Sequence, residues 1–139
     1  MIIMSVDLGK ARTGLAICDK NEFLASPLGT IEDRNLDRVA QKVANYVKER
    51  RVELLVVGLP KNMDGSEGES AQNARAFAKQ LEELCGIQTV MQDERGTTIT
   101  AHSFLNTTDT RGKKRKKVVD TVAATIILED YLNFRRNNK

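Results

Sequence analysis

The chain has 139 residues, 40% of them hydrophobic and 29% charged, which suits a soluble protein built as one domain, 1–139. No apolar run reaches about 18 residues, so no transmembrane helix is expected. The apolar start lacks a basic flank and a cleavage site, and the expected compartment is the cytoplasm, with no membrane association. The net charge of +3 is unevenly spread. Residues 1–94 hold 12 Lys and Arg against 15 Asp and Glu, whereas residues 95–139 hold 10 against 4. That asymmetry points to a polyanionic partner.

Residues 2–8 and 14–19 predict two β-branched-rich strands joined by GKART, a hairpin linker opening on Gly9. A third strand, 22–31, carries Pro27 and Gly29 and suits a sheet edge. Leu36, Val39, Val43 and Tyr46/Val47 then recur at helical spacing, so 33–50 is an amphipathic helix. VELLVVGLP, 52–60, is the continuous apolar run of a buried parallel strand. KNMDGSEGES, 61–70, reads as a mobile polar loop. Ala74, Phe77, Ala78, Leu81 and Leu84 mark a second helix stopped by Gly86. Residues 87–93 form a fifth strand, Thr97 or Thr98 caps a helix to about 106, and 117–134 is the last helix after a basic loop. The expected fold is α/β: a three-strand antiparallel meander plus two parallel strands, flanked by helices.

Chemistry in such sheets gathers at the carboxyl ends of parallel strands. Asp7 ends the first strand, and Asp93 and Glu94 end the fifth. Adjacent strand residues point to opposite faces, so only one of Asp93 and Glu94 can turn inward; Glu94 is favoured. Asp120 sits near the start of the last helix with Ala123, Ala124 and Ile127 on its own apolar face. A carboxylate there needs a partner or a metal, because burying it alone costs several kcal/mol. His102 is the single histidine, and Cys18 and Cys85 are isolated, which fits reduced core thiols and excludes a His-rich zinc centre. An all-oxygen set from Asp7, Glu94 (or Asp93) and Asp120 suits two Mg²⁺ or Mn²⁺ ions instead, the arrangement used for in-line phosphodiester hydrolysis. The run RGKKRKK, with Arg111, Lys113, Lys114, Arg115, Lys116 and Lys117, would hold phosphates beside it. Taken alone, the run also reads as a solvated loop, Asp7 as a strand end and Asp120 as a helix-dipole partner.

VDLGKARTGLAICD, VVGLPKNMDGSEG, DERGTT and KKVVDTVAATIILEDYL occur in an order and spacing that resemble the YqgF family, also called RuvX or Holliday-junction-resolvase-like proteins. The resemblance spans about residues 2–132. It implies an RNase H-like fold and a cytoplasmic nuclease linked to 5′-end maturation of pre-16S rRNA, hence to ribosomal particles. An older proposal for the family is cleavage of four-way DNA junctions. Carried onto this chain, the family acids fall on Asp7, Asp93/Glu94 and Asp120. The glycine-rich loop falls on Gly58 to Gly68, and the basic segment on Lys113 to Lys117. Two departures stand out: Ala11 where the family often has Lys, flanked here by Lys10 and Arg12, and Gly96 where Leu is usual. The strand LLVVGLP also lacks the acid that RuvC-type enzymes place there.

Gly9 and Gly14 serve the hairpin turn and leave room for a nucleic-acid backbone. Taken alone, Gly58, Asn62, Asp64 and Gly65 read as a loop; the resemblance implies that they line the cleft beside Asp7, while Arg95 pairs with a carboxylate or holds phosphate. The leading expectation is a metal-dependent ribonuclease on structured RNA. A junction resolvase on branched DNA would need a two-fold homodimer rather than a monomer. The third reading is a non-catalytic RNA-binding assembly factor on the same fold.

Overall fold

The computed structural model describes residues 1–61, 64–93 and 112–137, the span 112–120 by its backbone alone. Its elements follow the order β1 (Ile3–Asp7), β2 (Arg12–Cys18), β3 (Ala25–Glu32), α1 (Leu36–Arg50), β4 (Leu54–Leu59), α2 (Glu69–Cys85), β5 (Gln88–Asp93) and α3 (Gly112–Asn137). One five-stranded sheet is ordered β3-β2-β1-β4-β5. The meander is antiparallel, and β4 joins β1, and β5 joins β4, in parallel. This is the expected mixed sheet.

The central strands β1 and β4 are largely apolar because both their faces are covered, with Ser5 the buried polar exception on β1. Met4, Val6, Leu55 and Val57 pack on one side with Val39, Val43, Phe77 and Leu81 of α1 and α2. Ile3, Ala16, Leu54 and Val56 pack on the other with Ala124, Ile127, Leu128 and Leu132 of α3. α1 starts where Asn35 accepts the Arg38 N–H at 3.0 Å. α2 stops at Gly86, whose φ of 70° only glycine adopts without strain.

The sheet has two outer edges. β3 carries Pro27, which has no N–H to offer, and its pairing with β2 shifts register between Leu15 and Ala16. On β5, the Thr89 N–H donates to Glu82 Oε2 at 3.3 Å.

Two expectations are corrected. The basic segment is not a loop preceding a helix at 117: α3 begins at Gly112, so Lys113–Lys117 form its first turns. Lys and Arg are good helix formers, and their charge masked that propensity. Gly58, which the resemblance puts at the start of a glycine-rich loop, is the fifth residue of β4, within the strand expected over 52–60. The 61–70 segment also carries more order than a bare loop, with an isolated bridge from Lys61 to Glu67 and α2 already under way at Glu69. The helix expected over 97–106 lies outside the described residues.

Candidate active site

Side-chain alternation along β1 decides what Asp7 faces. Met4 and Val6 point to α1 and α2, so Ile3, Ser5 and Asp7 share the side covered by α3. Asp7 is partly buried at the strand's end. Its cross-strand partner on β2 is Gly14, whose partner on β3 is Thr30. Continuing the β1–β4 register by one step past Val6 and Val57 puts Gly58 on its other side, and Gly58 pairs with Gln92. The row across the sheet therefore reads Thr30, Gly14, Asp7, Gly58, Gln92. No neighbouring side chain rises beside the carboxylate within its row, a use of strand glycine that admits close approach of another group.

α3 is fixed above this row by two polar ties. Thr30 Oγ1 and Thr121 Oγ1 lie 3.0 Å apart. Ser5 Oγ donates to the Ala124 carbonyl at 2.6 Å. Farther along, Arg135 Nε donates to Glu22 Oε1 at 2.6 Å, so α3 runs antiparallel to β1. Asp120 precedes Ala124 by one turn, about 6 Å along the helix. Asp7 lies two residues beyond Ser5, about 6.6 Å along the strand and in the same direction. The α3 backbone at Asp120 thus stands over the end of β1 that bears Asp7.

The fifth-strand acids divide differently. Val90 packs on the α3 side and Met91 on the α2 side. By alternation Asp93 follows Met91, away from the face Asp7 occupies, and it is exposed. Glu94 lies outside the described residues, as do Arg95, Arg111 and Asn62. Asp64 shapes its own turn, where its Oδ1 accepts the Ser66 N–H at 2.9 Å and the Ser66 hydroxyl at 2.6 Å. Gly65 beside it has φ 90°, a conformation that favours glycine.

Among the cations, Lys10 is exposed at the hairpin tip and borders a depression of about 330 Å³ with Arg34, Ser70 and Asn73. Arg12 faces the α3 side, opposite Glu32 on β3. Its Nε is buried and makes no hydrogen bond among the described residues. Gly9 makes the hairpin possible: a Cβ there would run into the backbone carbonyl of Arg12. Neither Ser5 nor Thr30 stood out in the sequence, since a hydroxyl inside a strand carries no periodic signal.

The donors in question are carboxylate oxygens, which suit hard divalent ions. Among the described residues no three His, Cys, Asp or Glu side chains are gathered as a metal site. No helix among the described residues is long and apolar enough to cross a membrane.

Sheet order and helix placement define an RNase H-like fold. Solved structures agree on the fold: Thermus thermophilus RuvC aligns with TM-score 0.60 at 13% identity, covering 99% of this chain and 97% of that one. The fowlpox virus Holliday junction resolvase aligns with TM-score 0.56 at 15% identity, covering 96% and 99%. The family model described as "RuvX: Holliday junction resolvase" matches residues 1–134, and the chain belongs to this family. Family membership makes it a hydrolase of phosphodiester bonds. Relatives named "Putative pre-16S rRNA nuclease" include one from Shouchella clausii, 42% identical over 96% of this chain and 95% of its own. One from Nitrosospira multiformis is 39% identical over 95% and 87%. Nucleases of this fold generally depend on divalent metal ions.

Proposed function

We propose that the chain is a metal-dependent endonuclease that trims the 5′ end of pre-16S rRNA, working as a single domain on ribosomal precursor particles. The observation that carries this reading is the row around Asp7, with glycine on both flanking strands and the α3 backbone tied over it. Gly14 and Gly58 carry no side chain to hinder close approach of a substrate backbone within that row. The names of the relatives supply the substrate.

Asp7, Glu94 and Asp120 would hold Mg²⁺ or Mn²⁺ through carboxylate oxygens. When bound, such ions supply a Lewis acid and lower the pKa of a coordinated water. The chain's own residues then orient the strand. Arg12, whose Nε makes no hydrogen bond among the described residues, would add a cation on the α3 side of β2, two residues from the Gly14 that pairs with Asp7. Lys10 and the first turns of α3, Lys113 to Lys117, hold flanking phosphates, with Arg95 and Arg111 contributing from the adjoining segment. Removing one such contact lowers the salt dependence of binding by a slope of about 0.7 for a single strand. Asp93 has the weakest case as a site acid, because alternation directs it to the other face.

The test is cleavage of a 5′-extended 16S rRNA precursor by purified protein in Mn²⁺, Mg²⁺ or EDTA, beside Asp7→Asn and a four-way DNA junction. Metal-dependent cutting of the RNA that Asp7→Asn abolishes, with RNA binding retained, is the expected result. Cutting of the junction alone would replace this reading with a resolvase. Tight RNA binding with no cutting of either would replace it with a non-catalytic assembly factor.

A further inference from the structure

β1 reads Ile-Met-Ser-Val-Asp, and its one hydroxyl lies at a fully buried position in the middle of the strand. Packing does not call for a serine there; on this face of the sheet its neighbours are Ile3 and, across β2, Ala16. The hydroxyl is used on a mid-helix carbonyl, that of Ala124, 119 residues away in sequence. That carbonyl belongs to a helix interior, where the backbone N–H four residues on is its ordinary partner, so the serine bond is an addition to the helix.

The second tie, Thr30 to Thr121, is made from β3. β1 and β3 flank β2, so the two ties are separated by two strand spacings, about 9.5 Å across the sheet. Along α3 they are three residues apart, about 4.5 Å. Two anchors offset in both directions fix the helix against sliding along β1 and against swivelling on the sheet. Thr125 Oγ1 donates to the Thr121 carbonyl at 2.8 Å, which holds the tied turn together. Asp120 adjoins one anchor in sequence and lies one turn from the other.

We propose that Ser5 is a positioning residue for the metal site. Its bond to Ala124, acting with the Thr30–Thr121 pair, sets the register of α3 so that the helix backbone at Asp120 stands over the end of β1 that bears Asp7, the placement a shared divalent ion would need. This rests on the nuclease reading above. The hydroxyl itself touches neither metal nor substrate.

Calorimetric titration with Mn²⁺ separates the two ideas. Wild type, Ser5→Ala, Ser5→Thr and Asp7→Asn are titrated without RNA, after thermal melts have shown each to be folded at the assay temperature. Ser5→Ala is expected to weaken Mn²⁺ binding by about 10-fold or more, as loss of an outer-sphere partner does. Its kcat on the precursor falls by a similar factor, while RNA affinity in EDTA stays at the wild-type value. Ser5→Thr keeps the hydroxyl but adds a methyl at a fully buried position, so it recovers Mn²⁺ binding only in part, to a value between Ser5→Ala and wild type. If Ser5→Ala melts too low, Ser5→Cys, of similar size and a weak donor, takes its place. A folded Ser5→Ala or Ser5→Cys that binds Mn²⁺ like wild type overturns the proposal while leaving the nuclease reading standing. Equal Mn²⁺ binding by wild type and Asp7→Asn overturns the metal site itself, and the role of Ser5 with it.

Discussion

Ala124→Val probes how closely α3 must approach the sheet for the chemistry to proceed. Ala124 is fully buried, its neighbour Ala123 is 1% exposed, and the Ala124 carbonyl sits 2.6 Å from Ser5 Oγ. Two added methyl groups have no space to enter, so the helix must lift or turn. Overpacking of this kind costs about 1–3 kcal/mol. Against a domain stability of roughly 5–15 kcal/mol, that leaves nearly every molecule folded. A displacement of about 1 Å at a reacting group, by contrast, can lower a rate by about 100-fold. Activity should therefore fall far more than the folded fraction does. The assay is single-turnover cleavage of the 5′-extended precursor at saturating Mn²⁺, paired with a urea melt of the same preparation. Ile127→Val, one turn past Ala123 on the same packed face, is the control. It costs about 0.5–1.5 kcal/mol by loss of volume and should leave the rate near wild type. A folded Ala124→Val that cleaves at the wild-type rate would refute the idea that helix height sets the site.

Glu22 gives a pH signature. The Arg135 guanidinium, hydrogen-bonded to its carboxylate, lowers its pKa from 4.5 to about 2. A lowered carboxylate pKa contributes stability that is present above about 4.5 and is lost as the pH falls toward 2. Solvent screening holds the contribution to on the order of 1 kcal/mol for this 17%-exposed side chain. Urea midpoints of Arg135→Gln and wild type should converge between pH 4.5 and 2; a constant gap across that window would show the pair is not its source. Gly9→Ala should cost about 1–3 kcal/mol, because the new Cβ meets the Arg12 carbonyl and the hairpin must open. RNA affinity should fall with it, since Arg12 moves, and an unchanged urea midpoint would contradict the steric reading.

Much of the frame was legible in the sequence because it depends on local pattern. The apolar run of β4, the helical spacing of Val39, Val43 and Val47, and the Gly86 stop each report a short-range cause. Pro27 marked an edge strand for the same reason. The start of α3 was hidden because five successive cations look like a solvated loop, although each is a good helix former. Asp7 could be singled out as a carboxylate closing an apolar strand. The glycines that flank it could not be assigned to its row, because Gly14 and Gly58 come from different strands and meet only through register. The choice between Asp93 and Glu94 needed to know which face α3 covers, and Val90 and Met91 supply that only once packed. Ser5 was illegible for the plainest reason: its partner lies 119 residues away.

The treatment of the sheet's edges has a consequence for self-association. An extended chain arriving at β3 finds a ladder interrupted by Pro27, and one arriving at β5 finds the Thr89 N–H already held by Glu82. Each edge is thus interrupted at a point along its length, a device that disfavours ribbon-like growth from strand to strand.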